Sequence, residues 1–259
     1  MTLRSGGAVH IQDIPSPLAP YWRLSRTPRY SILFALPLLV LYELLAFALS
    51  HDAITGVRNG ADVLLKSVFI TLGGRWGVVV FGVLLVGGGA VLVWRDMRAS
   101  GGQLRGRVFL GMLAESVGYA LLIGMVTATL TGLVLQTIPA LALSPMQRLG
   151  LPTQLMVSLG AGLYEELLFR VLLVSGLAAV ARRGFGWSAG AAGVFATLVG
   201  ATVFSAFHYI GPYGDNFTAS SFTFRLIAGL IFSALYLLRG FGITAWSHAL
   251  YDVFLSLGG

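Results

Sequence analysis

The run Tyr164-Glu165-Glu166-Leu167-Leu168-Phe169-Arg170 places two carboxylates and a guanidinium in an otherwise apolar stretch. A lone ionised group at membrane depth costs about 2.5–3.5 kcal/mol on insertion scales, so such residues face the bundle interior, find a partner or stay protonated. On an α-helix Glu166 and Arg170 are four apart and can pair. Glu165, rotated about 100° away, then stays available. Two further clusters follow in equally apolar surroundings: Phe204-Ser205-Ala206-Phe207-His208 and His248-Ala249-Leu250-Tyr251-Asp252. Carboxylates and imidazoles brought together from three helices can hold a water, a metal or a proton path. The residues alone therefore leave open catalysis, ion or proton transport and structural hydrogen bonding. Glu43 and Glu115 have no companion at comparable spacing and read as structural hydrogen-bonding groups.

The elements that must carry these residues are membrane helices. Of 259 residues, 56% are hydrophobic and only 10% are charged, against about 25% charged in a soluble domain. A chain so apolar cannot cover a surface facing water, which predicts an all-α polytopic membrane protein. Seven apolar segments can be drawn, at 30–50, 76–94, 108–136, 153–181, 187–209, 222–238 and 241–257. The stretch 60–72 is shorter and interrupted by Asp62 and Lys66, so it reads as an interfacial or re-entrant helix. Residues 1–28 read as a polar, flexible tail ahead of a single transmembrane helical domain at 29–259. No apolar stretch with a small-residue cleavage site follows the first arginine, so no removable signal peptide is expected. With no cysteine in the chain, disulfides, thiolate metal sites and cysteine nucleophiles are excluded.

Charge supplies the orientation. The formal charge of +7 would suggest nucleic acid in a soluble protein, but here the arginines sit in short loops. Anchoring to an anionic leaflet is the better reading, with the lipid bilayer rather than nucleic acid as partner. An N-terminus in the cytoplasm puts Arg4, Arg23, Arg26, Arg29, Arg95, Arg98, Arg105, Arg107, Arg182, Arg183 and Arg239 inside, and Arg58, Lys66, Arg75, Arg148 and Arg225 outside. That bias fits the positive-inside rule.

Helical spacing orients the candidate residues. Ser158, Gly162, Glu165 and Phe169 fall on one narrow face, and Ala201, Phe204, Ser205 and His208 on another. Ala245, His248, Ala249, Asp252 and Ser256 form a small, polar stripe opposite Trp246, Leu250, Val253 and Leu257. In a helix immersed in lipid, such a stripe must line a cavity or a site. Depth sets a condition on any shared site. At 1.5 Å per residue, Glu165 lies about 25 Å from Arg182 along its helix, His208 about 31 Å from Trp187, and His248 about 10 Å from Phe241. Either the last hairpin turns inside the bilayer or the fifth helix starts below it.

In their order, Glu165-Glu166…Arg170, Phe204…His208 and His248…Asp252 resemble the EExxxR, FxxxH and HxxxN/D patterns of the CPBP family. These are CAAX proteases and bacteriocin-processing (Abi) proteins, related to the type II CAAX prenyl endopeptidase. The resemblance covers about 150–257 and implies an intramembrane endopeptidase cutting membrane-anchored protein or peptide substrates near their C-terminus. It implies Glu165 as general base, His208 as its partner in activating water, and His248 with Asp252 at the oxyanion. Glu166, Arg170 and Phe204 would organise the site. The prenyl endopeptidase has Asn where this chain has Asp252, and an ionised Asp cannot donate to an oxyanion. Asp252 would then be protonated, orient His248 or help bind a metal. The family picture favours a metal-free mechanism; if zinc binds, Glu165, His208 and His248 would supply the ligands, without the usual HExxH helix.

The Gly-, Ala- and Arg-rich composition and short loops point to a bacterial inner membrane. There prenylated substrates are not expected, and leader peptides, C-terminal sorting tags or other anchored proteins take their place. Two other functions compete: a non-proteolytic scaffold or bacteriocin-immunity protein, and a proton-coupled transporter. The transporter lacks the paired interrupted helices in matching halves that mark a transport site.

Overall fold

A computed structural model of the chain describes residues 19–49, 57–136, 149–211 and 214–258. Among them there is no strand. Of the N-terminal segment, residues 1–18 lie outside the described residues, whereas Ala19–Leu24 forms a short helix, α1. The long helices follow: α2 (Pro28–Leu49), α3 (Gly60–Gly73), α4 (Gly77–Ala99), α5 (Gly106–Leu135), α6 (Leu151–Gly160), α7 (Ser175–Gly184), α8 (Ala189–Phe207), α9 (Ala219–Arg239) and α10 (Phe241–Gly258). Between α6 and α7 the helix continues without a break as a π-helical segment, Ala161–Val174.

Among the described residues, five helical stretches are long and apolar enough to cross a membrane: Pro28–Leu49, Gly60–Ala99, Gly106–Leu135, Ala189–Phe207 and Ala219–Arg239. Their outer faces carry a belt of exposed apolar side chains, including Leu44, Phe47, Val83, Leu110, Met125, Leu133 and Val194. In water that surface would be untenable; in lipid it is what a span requires. The protein is an all-α polytopic membrane protein.

α3 does not lie apart as a surface helix. It folds back into α4 through the 3₁₀ turn Gly74–Trp76, with the Phe69 and Phe81 ring centroids 5.3 Å apart. The polar residues that interrupt its sequence face inward: Asp62 and Lys66 are buried and paired with each other at 2.7 Å.

At the opposite end of the bundle, α1 is docked rather than trailing. The Arg239 guanidinium stacks 3.7 Å from the Trp22 ring centroid and forms an ion pair with Glu115. Tyr21 donates to Glu115 at 2.6 Å. Burial and the adjoining carboxylate push the Tyr21 hydroxyl well above its ordinary range, so it stays a donor. Glu115 thereby anchors the α5, α9 and α1 junction.

α10 is the central helix, packed against α2, α5, α6 with its π continuation, and α9. The polar stripe therefore does not stand opposite a lipid face. Trp246 packs on Phe34 and donates Nε1–H to its carbonyl at 2.6 Å, and none of residues 241–254 is exposed. Two features let α10 in so closely. Gly240, at φ 80°, makes the one-residue corner with α9, a conformation that favours glycine. Gly162 has no side chain where a Cβ would lie 2.3 Å from the Ala245 carbonyl oxygen, the small-residue contact of membrane helix pairs.

The depth condition is met by the α7–α8 hairpin. The α9–α10 corner is level with the first turn of α2, since Gly242 N–H donates to Ser31 Oγ at 2.7 Å. Ser175, where α7 begins, is already level with Tyr236 near the end of α9, their hydroxyls 3.2 Å apart. The ten residues of α7 therefore add about 15 Å beyond Ser175 and reach roughly 9 Å past that corner, where α8 begins. The fifth span begins below the sixth–seventh corner, and the π segment shortens the rise further because a wider helix climbs less per residue.

Candidate active site

The π segment sets which way the acidic pair points. At α-helical spacing Ser158, Gly162, Glu165 and Phe169 would share one face. The widened helix splits them: Gly162 meets α10, whereas Phe169 packs edge-on against Phe204 and Phe207 of α8, at 5.2 and 5.4 Å between centroids. Glu165 and Glu166 are both buried and look toward different partners.

Glu166 is fully enclosed. His248 Nδ1–H donates to its Oε1 at 2.7 Å, and Arg170 Nη1 lies 3.2 Å from the same oxygen. Arg170 is 1% exposed, and its guanidinium carbon sits 4.4 Å from the Phe204 centroid and 5.7 Å from that of Phe232. A desolvated guanidinium between aromatic faces gains from their quadrupoles and neutralises Glu166, so the pair braces the π segment against α8, α9 and α10.

Glu165 is asymmetrically bound. Its Oε1 accepts from Asn59 Nδ2 at 2.8 Å, while Oε2 is buried without a hydrogen-bond partner and lies 3.9 Å from His208 Nε2. His208, just past the end of α8, donates Nδ1–H to the Phe204 carbonyl at 2.9 Å. That bond fixes the tautomer and turns Nε2, as an acceptor in the neutral ring, toward Glu165. Two acceptors cannot hydrogen-bond to each other, and a gap of 3.9 Å between them is one that a donor to both, such as water, would bridge.

His248 stacks on Phe232 with centroids 4.4 Å apart. Its Nδ1 is committed to Glu166, and its Nε2 lies 3.6 Å from Asp252 Oδ2, one turn along α10. The Phe204 ring stands between the histidines, 4.8 Å from His208 and 6.1 Å from His248. Glu165, Glu166, Arg170, Phe204, His208, His248 and Asp252 thus form one constellation. Glu43 and Glu115 lie outside it: Glu43 accepts from Tyr164 Oη at 2.7 Å and pairs with Lys66 at 3.0 Å.

The three residues named for a zinc site, Glu165, His208 and His248, are not gathered around one point: His248 hydrogen-bonds Glu166 through Nδ1 and faces Asp252 with Nε2. Among the described residues, no three His, Cys, Asp or Glu side chains converge as a metal-ligand group.

Sequence reasoning missed Asn59 and Phe232. Phe232 is an ordinary apolar residue of a span until α10 brings His248 onto it. Asn59 ahead of Gly60-Ala61-Asp62 shows a helix cap, but no spacing rule links it to a carboxylate 106 residues away.

Membrane-spanning helices around a buried carboxylate–imidazole centre define the class: a polytopic membrane protein with the makings of a hydrolase site. Residues 147–254 match the family model described as type II CAAX prenyl endopeptidase Rce1-like. The match covers under half of the chain and supports its assignment to the CPBP/CAAX protease family of peptidases. The matched segment takes in α6 to α9, most of α10 and the whole constellation, but not Asn59. No curated protein and no solved structure matches the chain.

Proposed function

We propose that the chain is an intramembrane endopeptidase that hydrolyses membrane-anchored protein or peptide substrates near their C-terminus, using water activated by Glu165 and His208. The observation that carries this is the unpartnered Glu165 Oε2 facing His208 Nε2 at 3.9 Å. A water held there donates one proton toward each acceptor. Glu165 removes one as the oxygen attacks the scissile carbonyl, and the proton passes on to the leaving amine. His248, carrying protons on both nitrogens, has Glu166 on one side and directs Nε2–H at the developing oxyanion, where exclusion of water makes a donor most effective. Asp252 orients the ring, a role its carboxylate can fill without donating.

The proposed mechanism needs no metal. Protein purified after exhaustive chelation should keep its activity, and added zinc should not raise it; dependence on zinc would refute this part of the reading. A bacterial inner membrane with the N-terminus inside is likewise proposed, from composition and the basic end. The decisive experiment compares the termini of membrane proteins in cells carrying the wild-type chain or Glu165→Ala at matched abundance. A precursor that accumulates only with the variant is the expected result and names substrate and cut site together. Identical termini, with the variant still rescuing a deletion phenotype, would leave the scaffold reading in its place.

A further inference from the structure

Asn59 lies between α2 and α3, outside the matched family domain, and its side chain is fixed from both ends. Oδ1 accepts from the backbone N–H groups of Ala61 at 2.9 Å and Asp62 at 3.4 Å, capping α3. A planar amide with its oxygen so committed must turn its N–H groups the other way, and there Nδ2 donates to Glu165 Oε1. The backbone is held as well: Asn59 N–H donates to Tyr42 Oη at 3.2 Å, and Tyr42 donates to Asp62 at 2.7 Å.

Beneath this contact lies a charge-balanced cluster. Arg58 Nη1 is 3.0 Å from Asp62 and 3.2 Å from Glu43, and Lys66 bridges the same two carboxylates. Asn59 is 2% exposed. Gly160 admits it, because a Cβ on Gly160 would lie 2.8 Å from the Asn59 Cβ.

We infer that Asn59 is a positioning residue for Glu165: by holding Oε1 it fixes the rotation of the carboxylate and presents Oε2 to His208. The inference rests on the proteolytic reading of the site. A carboxylate without this restraint could rotate and offer either oxygen, and geometry loosened by about 1 Å can lower a rate by roughly 100-fold. The buried ions of α2 and α3 act through the amide as its rigid support. The N-terminal half, which the family domain does not cover, thereby takes part in setting the catalytic geometry.

The test uses the full chain in liposomes, with the precursor whose processing in cells depends on Glu165. Asn59→Ser keeps a capping oxygen but is too short to reach Glu165. Asn59→Asp also keeps the cap and sets an oxygen against Glu165 where an N–H stood. The expected result is kcat lowered roughly 10- to 100-fold in Asn59→Ser, and further in Asn59→Asp. KM should stay within about twofold and thermal stability near that of the wild type. Should the serine variant melt early, kcat per folded molecule below its transition, together with the aspartate variant, gives the same reading. Wild-type kcat in both variants, beside an inactive Glu165→Gln chain, overturns the inference. An active Glu165→Gln chain is a separate failure, because it removes the proteolytic reading itself.

Discussion

At the scale of single residues, Asp252 and Arg170 carry the sharpest expectations. Asp252 faces His248 Nε2 at 3.6 Å and makes no tighter contact with it, so orientation matters more than a full charge. Asp252→Asn should keep precursor conversion within about tenfold of wild type, whereas Asp252→Ala should lose roughly 100-fold or more. Equal losses in both would show that the carboxylate charge itself is required. Arg170 is different, because its partner Glu166 is fully buried. Arg170→Met should lower unfolding stability in detergent by about 3–5 kcal/mol, the penalty of leaving a buried charge unpaired. Adding Glu166→Gln should restore much of that stability without restoring activity, since His248 would lose its anionic partner. A double variant no more stable than the single one would show that Arg170 acts mainly through its contact with the Phe204 and Phe232 rings.

Among the elements, the contact of the π segment with α10 decides whether the site exists. Glu166 and His248 meet at 2.7 Å only because Gly162 lets Ala245 and Ala249 come against the backbone. Gly162→Ala should cost about 1–3 kcal/mol in thermal stability and move His248 off Glu166, abolishing conversion. Gly176→Ala, on α7 with open space around it, is the matched control and should be neutral in both measurements. A tolerated Gly162→Ala would mean that α10 can shift without disturbing the constellation. α3 also shows why an element must be seen in place: Asp62 and Lys66 look like interruptions of an apolar helix, yet they are buried ions paired with each other.

For the whole molecule, charge is sorted by end. Arg29 pairs with Asp96 across the starts and ends of α2 and α4, and Arg105, Arg182, Arg183 and Arg239 fall at that same end. At the other end Arg58 and Lys66 are neutralised by Glu43 and Asp62, and Arg225 by Asp215. The positive-inside rule counts Lys and Arg rather than net charge, so the end richer in arginine is the one proposed to face the cytoplasm. The chain has no cysteine, so single-cysteine labelling has no background. In intact cells a membrane-impermeant thiol reagent should label Asn216→Cys and spare Ala99→Cys until the membrane is opened. The reverse pattern would invert the proposed topology.

Five of the described stretches, not seven, are long and apolar enough to span. The amino-acid sequence by itself determined the membrane class, the positions of the apolar helices to within about five residues, and the motifs as local patterns. These follow from composition and local spacing: 20-odd apolar residues can only span, and a run such as Glu165-Glu166…Arg170 is legible wherever it lies. Only the tertiary structure decided how the motifs share a depth, because that depends on how far the α7–α8 hairpin projects past its neighbours. It also decided that α10 is enclosed by helices rather than lipid, which an amphipathic stripe cannot distinguish. The π segment lay outside the reach of 3.6-residue periodicity, so the face assigned to Gly162, Glu165 and Phe169 came apart once the helix widened. Asn59 was beyond sequence reasoning for the plainest physical reason. A contact between residues 106 apart is set by packing of the intervening helices and leaves no local pattern.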